Sequence, residues 1–155
     1  MPNFKQLLIA GIGSVAKSTG THVQIKNGQL LVNGAEFKKT TVATVNTASA
    51  VTLTAAQLLG GLILEDPNGG AVTVTTPTAT LIVNAIAECK VGSSFEFTIR
   101  NTADAAEAIT VAAGTGVTIS GTATIGQNNS KRFLVAVTAV TSPAVTIYSL
   151  GTVVH

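Results

Sequence analysis

The sequence is poor in the residue types that usually supply chemistry or ionic surface. It has one cysteine, two histidines and no tryptophan, and charged side chains make up only 10% of its 155 residues, whereas an ordinary soluble domain has about 25%. Cys89 alone allows no disulfide within the sequence and no paired-cysteine zinc site. A chain that omits surface charge lies in a membrane or covers its surface with other chains. Four stretches have no charged residue at all: Thr40–Leu64, Pro67–Ala87, Ala108–Ser130 and Phe133–Val154.

Membrane and nucleic-acid partners are both disfavoured by the pattern of the remaining residues. A spanning helix needs roughly 20 consecutive apolar residues, and the uncharged stretches are interrupted by glycine, asparagine, glutamine and many threonines. The net charge is only +2, and no basic cluster is accompanied by the aromatics that stack on bases. We therefore expect neither a membrane nor a nucleic-acid partner, and we interpret the basic pair Lys131/Arg132 as a solvated strand end.

Short strands separated by turn residues dominate the rest of the pattern. Residues 22–26 alternate polar and apolar, Asn27-Gly28 favours a type I′ turn, and Gln29–Val32 is the returning strand of a hairpin. A helix is predicted over Ala55–Leu59, with Thr54 as its N-cap and Gly60-Gly61 as its end. Further strands are predicted over Thr41–Leu53 (broken at Asn46–Ser49), Leu62–Glu65, Ala71–Thr75, Phe95–Ile99, Ala108–Ala112, Val117–Ile119, Thr122–Ile125, Lys131–Val140 and Ala144–Leu150.

A second helix is predicted from Thr78 to about Glu88, because Leu81, Ile82 and Ala85 recur at helical spacing. The whole pattern indicates a mainly β fold, an antiparallel β-sandwich or barrel-like domain with one or two short helices and an extended N-terminal arm. No internal repeat of fixed period is strong enough to indicate a solenoid.

We divide the chain into an N-terminal arm and hairpin, residues 1–39, and a β-domain, residues 40–155. The arm carries the apolar run Leu7–Ile9, which suits docking on a neighbouring molecule, since such arms are unordered unless something holds them. The candidate interface residues are the apolar ones of this region: Phe4, Leu7, Leu8, Ile9, Ile12, Val23, Ile25 and Leu31.

The titratable residues do not form a recognisable catalytic or metal-binding motif. Glu65-Asp66 adjoins a turn that lacks the alternating ligands of a calcium loop, and Asn101 is interpreted as a turn. Asp104 and Glu107 lie in a loop and are interpreted as solubilising. Cys89 has no histidine nearby in sequence to act as a base, so we expect a buried, inert thiol. The prediction is a protein that is not an enzyme, with no catalytic, cofactor-binding or metal-binding residues.

From about residue 52 to residue 150 the chain resembles a domain of virion structural proteins of tailed bacteriophages. The similar pieces, in order, are LTAAQLLGGLI at 53–63, PTATL at 77–81, VGSSFEFTIRNT at 91–102, ITVAAGTGVTISG at 109–121, SKRFLVAVT at 130–138 and VTIYSLG at 145–151. The resemblance implies a small β-domain, typically trimeric, that decorates (cements) the capsid or belongs to a fibre-like attachment. It implies no catalytic residues, and a location on the virion surface after synthesis in the host cytoplasm.

Three functions follow as hypotheses. The first is a capsid decoration homotrimer that binds the major capsid protein or neighbouring virion proteins and stabilises the shell mechanically. The second is a head or tail fibre or adhesin domain that binds host surface glycans, which needs an exposed aromatic or a polar groove. The third is a secreted hydrolase, which needs a histidine or carboxylate pair converging in a cleft.

Overall fold

The computed structural model describes residues 23–26, 29–32 and 40–155. The chain separates into two units, residues 1–38 and 39–155, and each is described by itself. In the first unit, strands β1 (Val23–Lys26) and β2 (Gln29–Val32) pair in antiparallel fashion, with Lys26 opposite Gln29. The predicted hairpin with its two-residue connection is therefore confirmed, while the rest of the predicted arm lies outside the described residues.

The second unit contains ten strands and two short helices. In chain order these are β3 (Thr41–Asn46), β4 (Val51–Thr52), α1 (Ala55–Gly60), β5 (Gly61–Asp66), β6 (Val72–Thr75), α2 (Ala79–Ala85), β7 (Ser94–Asn101), β8 (Ile109–Ala112), β9 (Val117–Ser120), β10 (Thr124–Ile125), β11 (Asn129–Ala139) and β12 (Ala144–Val154).

The strands form two mixed sheets rather than the antiparallel sheets that we predicted. The six-stranded sheet has the order β3-β5-β7-β11-β12-β9, and the four-stranded sheet has the order β10-β8-β6-β4. Strands β3, β5 and β7 run parallel to one another, as do β4, β6 and β8, while β11 is antiparallel to both of its neighbours. The mainly β fold is confirmed and the antiparallel assignment is wrong.

The parallel pairing arises because the chain passes alternately from one sheet to the other, along a path that we call the coil. Strands β3, β5 and β7 each lead to a strand of the other sheet, and α1 and α2 lie on the return connections, since parallel neighbours need a long crossover. Val42 pairs with Leu62, 20 residues later, whereas Leu62 pairs with Thr98, 36 residues later. Successive turns of the coil thus differ in length, so the coil leaves no fixed period in the sequence.

One apolar core fills the space between the sheets. The six-stranded sheet contributes Phe97, Ile99 and Phe133, and the four-stranded sheet contributes Val74 and Ile109, all 0–1% exposed. The rings of Phe97 and Phe133 stack with centroids 5.1 Å apart. Alternate residues of each strand therefore point inward to this core, and the intervening residues form the outer face of each sheet.

Both helices begin where the sequence predicts. The Thr54 hydroxyl accepts a hydrogen bond from the Gln57 backbone N–H at 3.2 Å, and the Gln57 side-chain oxygen accepts one from the Thr54 backbone N–H. Gly61 ends α1 with φ 91°. Helix α2 begins after its N-cap Thr78 but ends at Ala85, earlier than the predicted Glu88. The backbone of Ile86 is extended, and its side chain packs on the core.

Candidate functional site: the outer sheet faces

The outer face of the six-stranded sheet carries apolar side chains that its own fold leaves in solvent. Val42, Tyr148, Leu150 and Val153 are 52%, 41%, 43% and 59% exposed. Cross-strand pairing groups them into two patches, one on β3 and β5, where Val42 is opposite Leu62, and one on β11 and β12, where Tyr148 is opposite Leu134. The outward residues of β7, which lies between the patches, are polar. We call this surface the apolar face; its apolar members are Val42, Leu62, Leu64, Leu134, Tyr148, Leu150 and Val153.

Few charges interrupt the apolar face, and they balance one another. Asp66, Glu96, Arg100 and Arg132 occupy outward positions of β5, β7 and β11. The Arg132 Nε lies 3.6 Å from a carboxylate oxygen of Glu96. An exposed pair of this kind adds little stability. The two acidic and two basic residues together leave the face with no net charge that would repel a second copy of the same face.

The outer face of the four-stranded sheet differs in kind, because threonines occupy nearly all of its outward positions. Thr73 pairs with Thr110, which pairs with Thr124, and these three side chains are exposed. The next row joins Thr52 to Thr75. We call this surface the threonine face. Each hydroxyl both donates to and accepts from water, so the threonine face is wetted without any charged residue.

The contrast between the two faces identifies the more suitable contact surface. Low charge alone does not require a surface to be covered, since the threonine face meets its hydrogen-bonding needs with solvent. The apolar face does not, because each of its two patches exposes several large apolar side chains together, and such patches usually mark an interaction site. The apolar face is therefore the candidate interface of the β-domain, and its residues were missed by the sequence analysis. Their alternation with core residues in β11 and β12 is the signal that could have found them.

A shallow depression lies at one edge of the apolar face. It is lined by Thr98 of β7, Arg132 of β11 and Leu150 and Gly151 of β12, among others. The β11–β12 register shifts between Arg132 and Phe133, so that Arg132 is opposite Gly151 and Phe133 is opposite Ser149. Gly151 has φ 141°, a value that favours glycine, so this β-bulge shapes the depression.

The interface residues predicted from the arm are only partly described. Phe4, Leu7, Leu8, Ile9 and Ile12 lie outside the described residues. Val23 and Ile25 are alternate residues of β1, and Leu31 of β2 pairs with Gln24. Leu31 therefore belongs to the other set of alternating positions in this hairpin.

Two residues that we assigned to solvated loops or turns are buried and structural. Asn101 is 0% exposed at the end of β7, and its Nδ2 donates to the carbonyl oxygens of Glu107 and Ile125 at 2.8 and 3.1 Å. Its Oδ1 accepts from the Ala103 N–H at 3.0 Å. Glu107, 9% exposed, accepts from the Gly69 N–H at 2.7 Å. Loops have backbone groups to satisfy, and these two side chains satisfy them inside the molecule.

Glu65 is the most unusual carboxyl group in the described chain. It follows Ile63 at the next inward position of β5 and is 0% exposed, and neither of its carboxyl oxygens has a hydrogen-bond partner in the described structure. Burial raises the pKa of Glu65 from 4.5 to about 7, and the neighbouring charge of Asp66 adds to the rise. A neutral carboxylic acid is thus the form that this position favours.

Lys131 also differs from its predicted role. It is 4% exposed, and its Nζ donates to the Thr122 carbonyl oxygen at 2.8 Å, so it is not a solvated strand end. Arg132, beside it in β11, is exposed as predicted. Inward and outward positions alternate along β11, and the two cations of the pair therefore lie on opposite sides of the sheet.

The described residues bring together one pair with the elements of nucleophilic chemistry. The Ser130 hydroxyl lies 2.9 Å from Nε2 of His155. A working pair also needs a group that orients the histidine and donors that stabilise an oxyanion, and the described part of the chain shows neither beside it. Within that same part, no group of three or more histidine, cysteine, aspartate or glutamate residues is placed to hold a metal ion. Cys89 is half-buried beside the core.

No helix among the described residues is long and apolar enough to cross a membrane. Comparison with protein-family models, with curated proteins and with solved structures found no match for this chain.

Proposed function

We propose that this protein is a virion structural protein, a capsid decoration protein that binds an assembled phage shell as a homotrimer and stabilises it mechanically. The observation that carries the proposal is the apolar face. It has no net charge, and four of its large apolar side chains are about half exposed. The resemblance of residues 52–150 to phage virion domains supports the same function.

The two outer faces and the arm have different roles in this proposal. The apolar face packs against neighbouring copies, because obligate interfaces have an apolar core and commonly bury 2,000 Å² or more. The threonine face is turned to solvent on the outside of the virion. Residues of the arm contact the major capsid protein, and three arms on one trimer bind with greater avidity than one.

Charge placed on the apolar face is expected to separate the copies without unfolding them. We expect the double variant Leu150→Lys, Val153→Lys to weaken self-association by about 2 kcal/mol or more, roughly 30-fold, since charged residues are depleted at interface centres. Both side chains are already about half exposed, so the melting temperature of the separated subunit should change little. Light scattering over a concentration series measures the mass.

The matched control is Thr73→Lys, Thr124→Lys on the threonine face, two exposed positions that do not pair directly with each other. It adds the same charge and should leave the trimer intact. A wild-type monomer at micromolar concentration, or a trimer that survives both double variants equally, contradicts the proposal. Binding of the wild-type trimer to isolated mature capsids, measured by co-sedimentation, tests the partner.

A second candidate function, glycan binding by a fibre or adhesin domain, is supported by Tyr148. This aromatic is 41% exposed on the apolar face, in β12, the strand that also contributes Leu150 to the lining of the depression. Aromatic rings suit the apolar faces of sugars, with polar groups placed nearby. On a glycan array, this function predicts binding by the wild type that Tyr148→Ala abolishes and Tyr148→Phe retains. An array without a hit counts against this function.

A further inference from the structure

The second half of β12 has one unpaired edge in the described structure. Strand β9 pairs only with Val145–Tyr148 of β12, while β11 pairs with β12 as far as Val154. On the β9 side, residues Ser149–Val154 therefore present backbone N–H and C=O groups with no strand beside them in the described structure. We call these six residues the open run.

The open run lacks most of the features by which proteins protect such edges. Edge strands are usually short, charged, interrupted by proline or bulged. The open run contains no charged residue and no proline, and its only irregularity is the bulge at Leu150 and Gly151. Leu150, Val153 and Val154 are 43%, 59% and 77% exposed, which makes it the most apolar exposed segment of the described chain.

The other free edges offer less to a partner. Strands β4 and β10, at the two edges of the four-stranded sheet, have two residues each, too few to template a further strand. Strand β9, the outer strand next to β12 in the six-stranded sheet, has four residues and no large exposed apolar side chain. Strand β3, at the far edge of the six-stranded sheet, is longer, but Val42 is its one large exposed apolar side chain. An added strand would cover three apolar side chains at the open run and one at β3.

The β1–β2 hairpin also lacks a neighbouring strand in the described structure. It forms a two-stranded sheet, and within the described residues no third strand pairs with either of its outer edges. An isolated two-stranded hairpin is marginally stable in water, and a third strand or a packing surface is needed to hold it. Each of its strands has four residues, a length that the open run can accommodate.

We propose that the β1–β2 hairpin of one copy adds to the open run of β12 in a neighbouring copy, so that each subunit of the assembly donates one hairpin and receives one. This proposal rests on the homotrimer proposed above and names its contact. Such a contact joins two different surfaces, and a heterologous contact of this kind closes into a ring when its rotation permits. Main-chain hydrogen bonds supply the binding, as in other cases of strand addition. The hairpin then belongs to the trimer rather than to the capsid contact.

Cross-linking between differently tagged full-length copies tests the pairing. In a Cys89→Ser background, one copy carries Thr152→Cys in the open run and the other carries a cysteine in the hairpin, either Gln24→Cys in β1 or Leu30→Cys in β2. The two are co-expressed, the assembled fraction is isolated by size exclusion, and a short bis-maleimide is added. Neighbouring strands hold such thiols at an effective concentration in the millimolar range, so the doubly tagged product should form roughly 1,000-fold faster than by collision at micromolar concentration.

The matched control moves the first cysteine to the competing edge, as Thr44→Cys in β3, an exposed threonine like Thr152. Fast linking of Thr152→Cys to either hairpin position, with slow linking of Thr44→Cys, supports the proposal. A trimer in which the hairpin links to Thr44→Cys, or to neither position, overturns the strand addition and leaves the trimer standing. A protein that stays monomeric overturns the proposed function and the strand addition together.

Discussion

Glu65→Gln is expected to abolish most of the pH dependence of stability between pH 4.5 and 8. The folded protein keeps the Glu65 proton up to a pKa of about 7, whereas the unfolded chain releases it near 4.5. The raised pKa of an acid means that stability is fully present below pH 4.5, falls as the pH rises through about 7, and is level above that. The loss amounts to about 3 kcal/mol, or roughly 6–12 °C in melting temperature.

The variant isolates this effect because a glutamine is close in shape to the protonated acid and cannot ionise. At pH 4 the two proteins should agree within about 1 kcal/mol, and at pH 8 the variant should be the more stable by about 3 kcal/mol. Denaturant titrations at a series of pH values measure the difference. Glu96→Gln, at an exposed carboxylate, should leave the profile of the wild type unchanged. A wild type that is equally stable at pH 5 and pH 8 would show that Glu65 ionises freely in the fold.

Asn101→Ala is expected to cost about 3–5 kcal/mol, because each buried group left without its partner costs roughly 1–3 kcal/mol. The side chain has three hydrogen bonds, to the carbonyls of Glu107 and Ile125 and from the N–H of Ala103. The bond to Ile125 joins the six-stranded sheet to β10 of the other sheet. Its loss therefore loosens the contact between the two sheets as well as the 102–108 loop.

Chemical denaturation of Asn101→Ala beside Asn84→Ala measures the effect. Asn84 is exposed on α2, so its replacement should change the stability by less than about 0.5 kcal/mol. Asn101→Asp keeps the shape but exchanges two donors for acceptors, and it should be at least as unstable as the alanine variant at neutral pH. If both Asn101 variants unfold at the wild-type denaturant midpoint, the buried network contributes nothing to stability.

The sequence predicted the local structure wherever one short segment decides it. Thr54 and Gln57 form a capping box within four residues, and Gly61 supplies the left-handed residue that ends α1. The Asn27-Gly28 pair predicts the hairpin whose strands β1 and β2 are paired in the structure. In β7 the alternation of Phe95, Phe97 and Ile99 marks the inner face, which the structure confirms.

The sheet topology could not be predicted, because the pairing partners are distant and unevenly spaced along the chain. Parallel strands need no adjacent turn signal, and the two crossovers of the coil differ by 16 residues, as the intervals from Val42 to Leu62 and from Leu62 to Thr98 show. The sequence also did not predict that β7 continues to Asn101, again partly because partners of this residue are distant along the chain. Asparagine is common in turns, and the carbonyl groups that make it a buried residue come from the 102–108 loop and from β10 of the facing sheet.

The apolar face of the β-domain was not predicted from the sequence. The shortage of charge draws attention to surfaces, yet it does not distinguish Thr73 on a wetted face from Leu150 on an apolar one. That distinction requires knowing which alternate residues of β6 and β12 point inward. The arm residues Phe4, Leu7, Leu8, Ile9 and Ile12 remain predictions.

The position of β7 in the six-stranded sheet constrains how this chain can be made. Strand β7 lies between β5, which precedes it, and β11, which follows it, and Phe97 stacks on Phe133 of β11. Until the ribosome has added Phe133, the growing polypeptide has an incomplete apolar core and long uncharged segments. Transiently exposed surface of this kind is prone to aggregation. Native folding must therefore wait until the last strands have left the exit tunnel, and a chaperone that shields nascent chains should raise the yield of soluble protein.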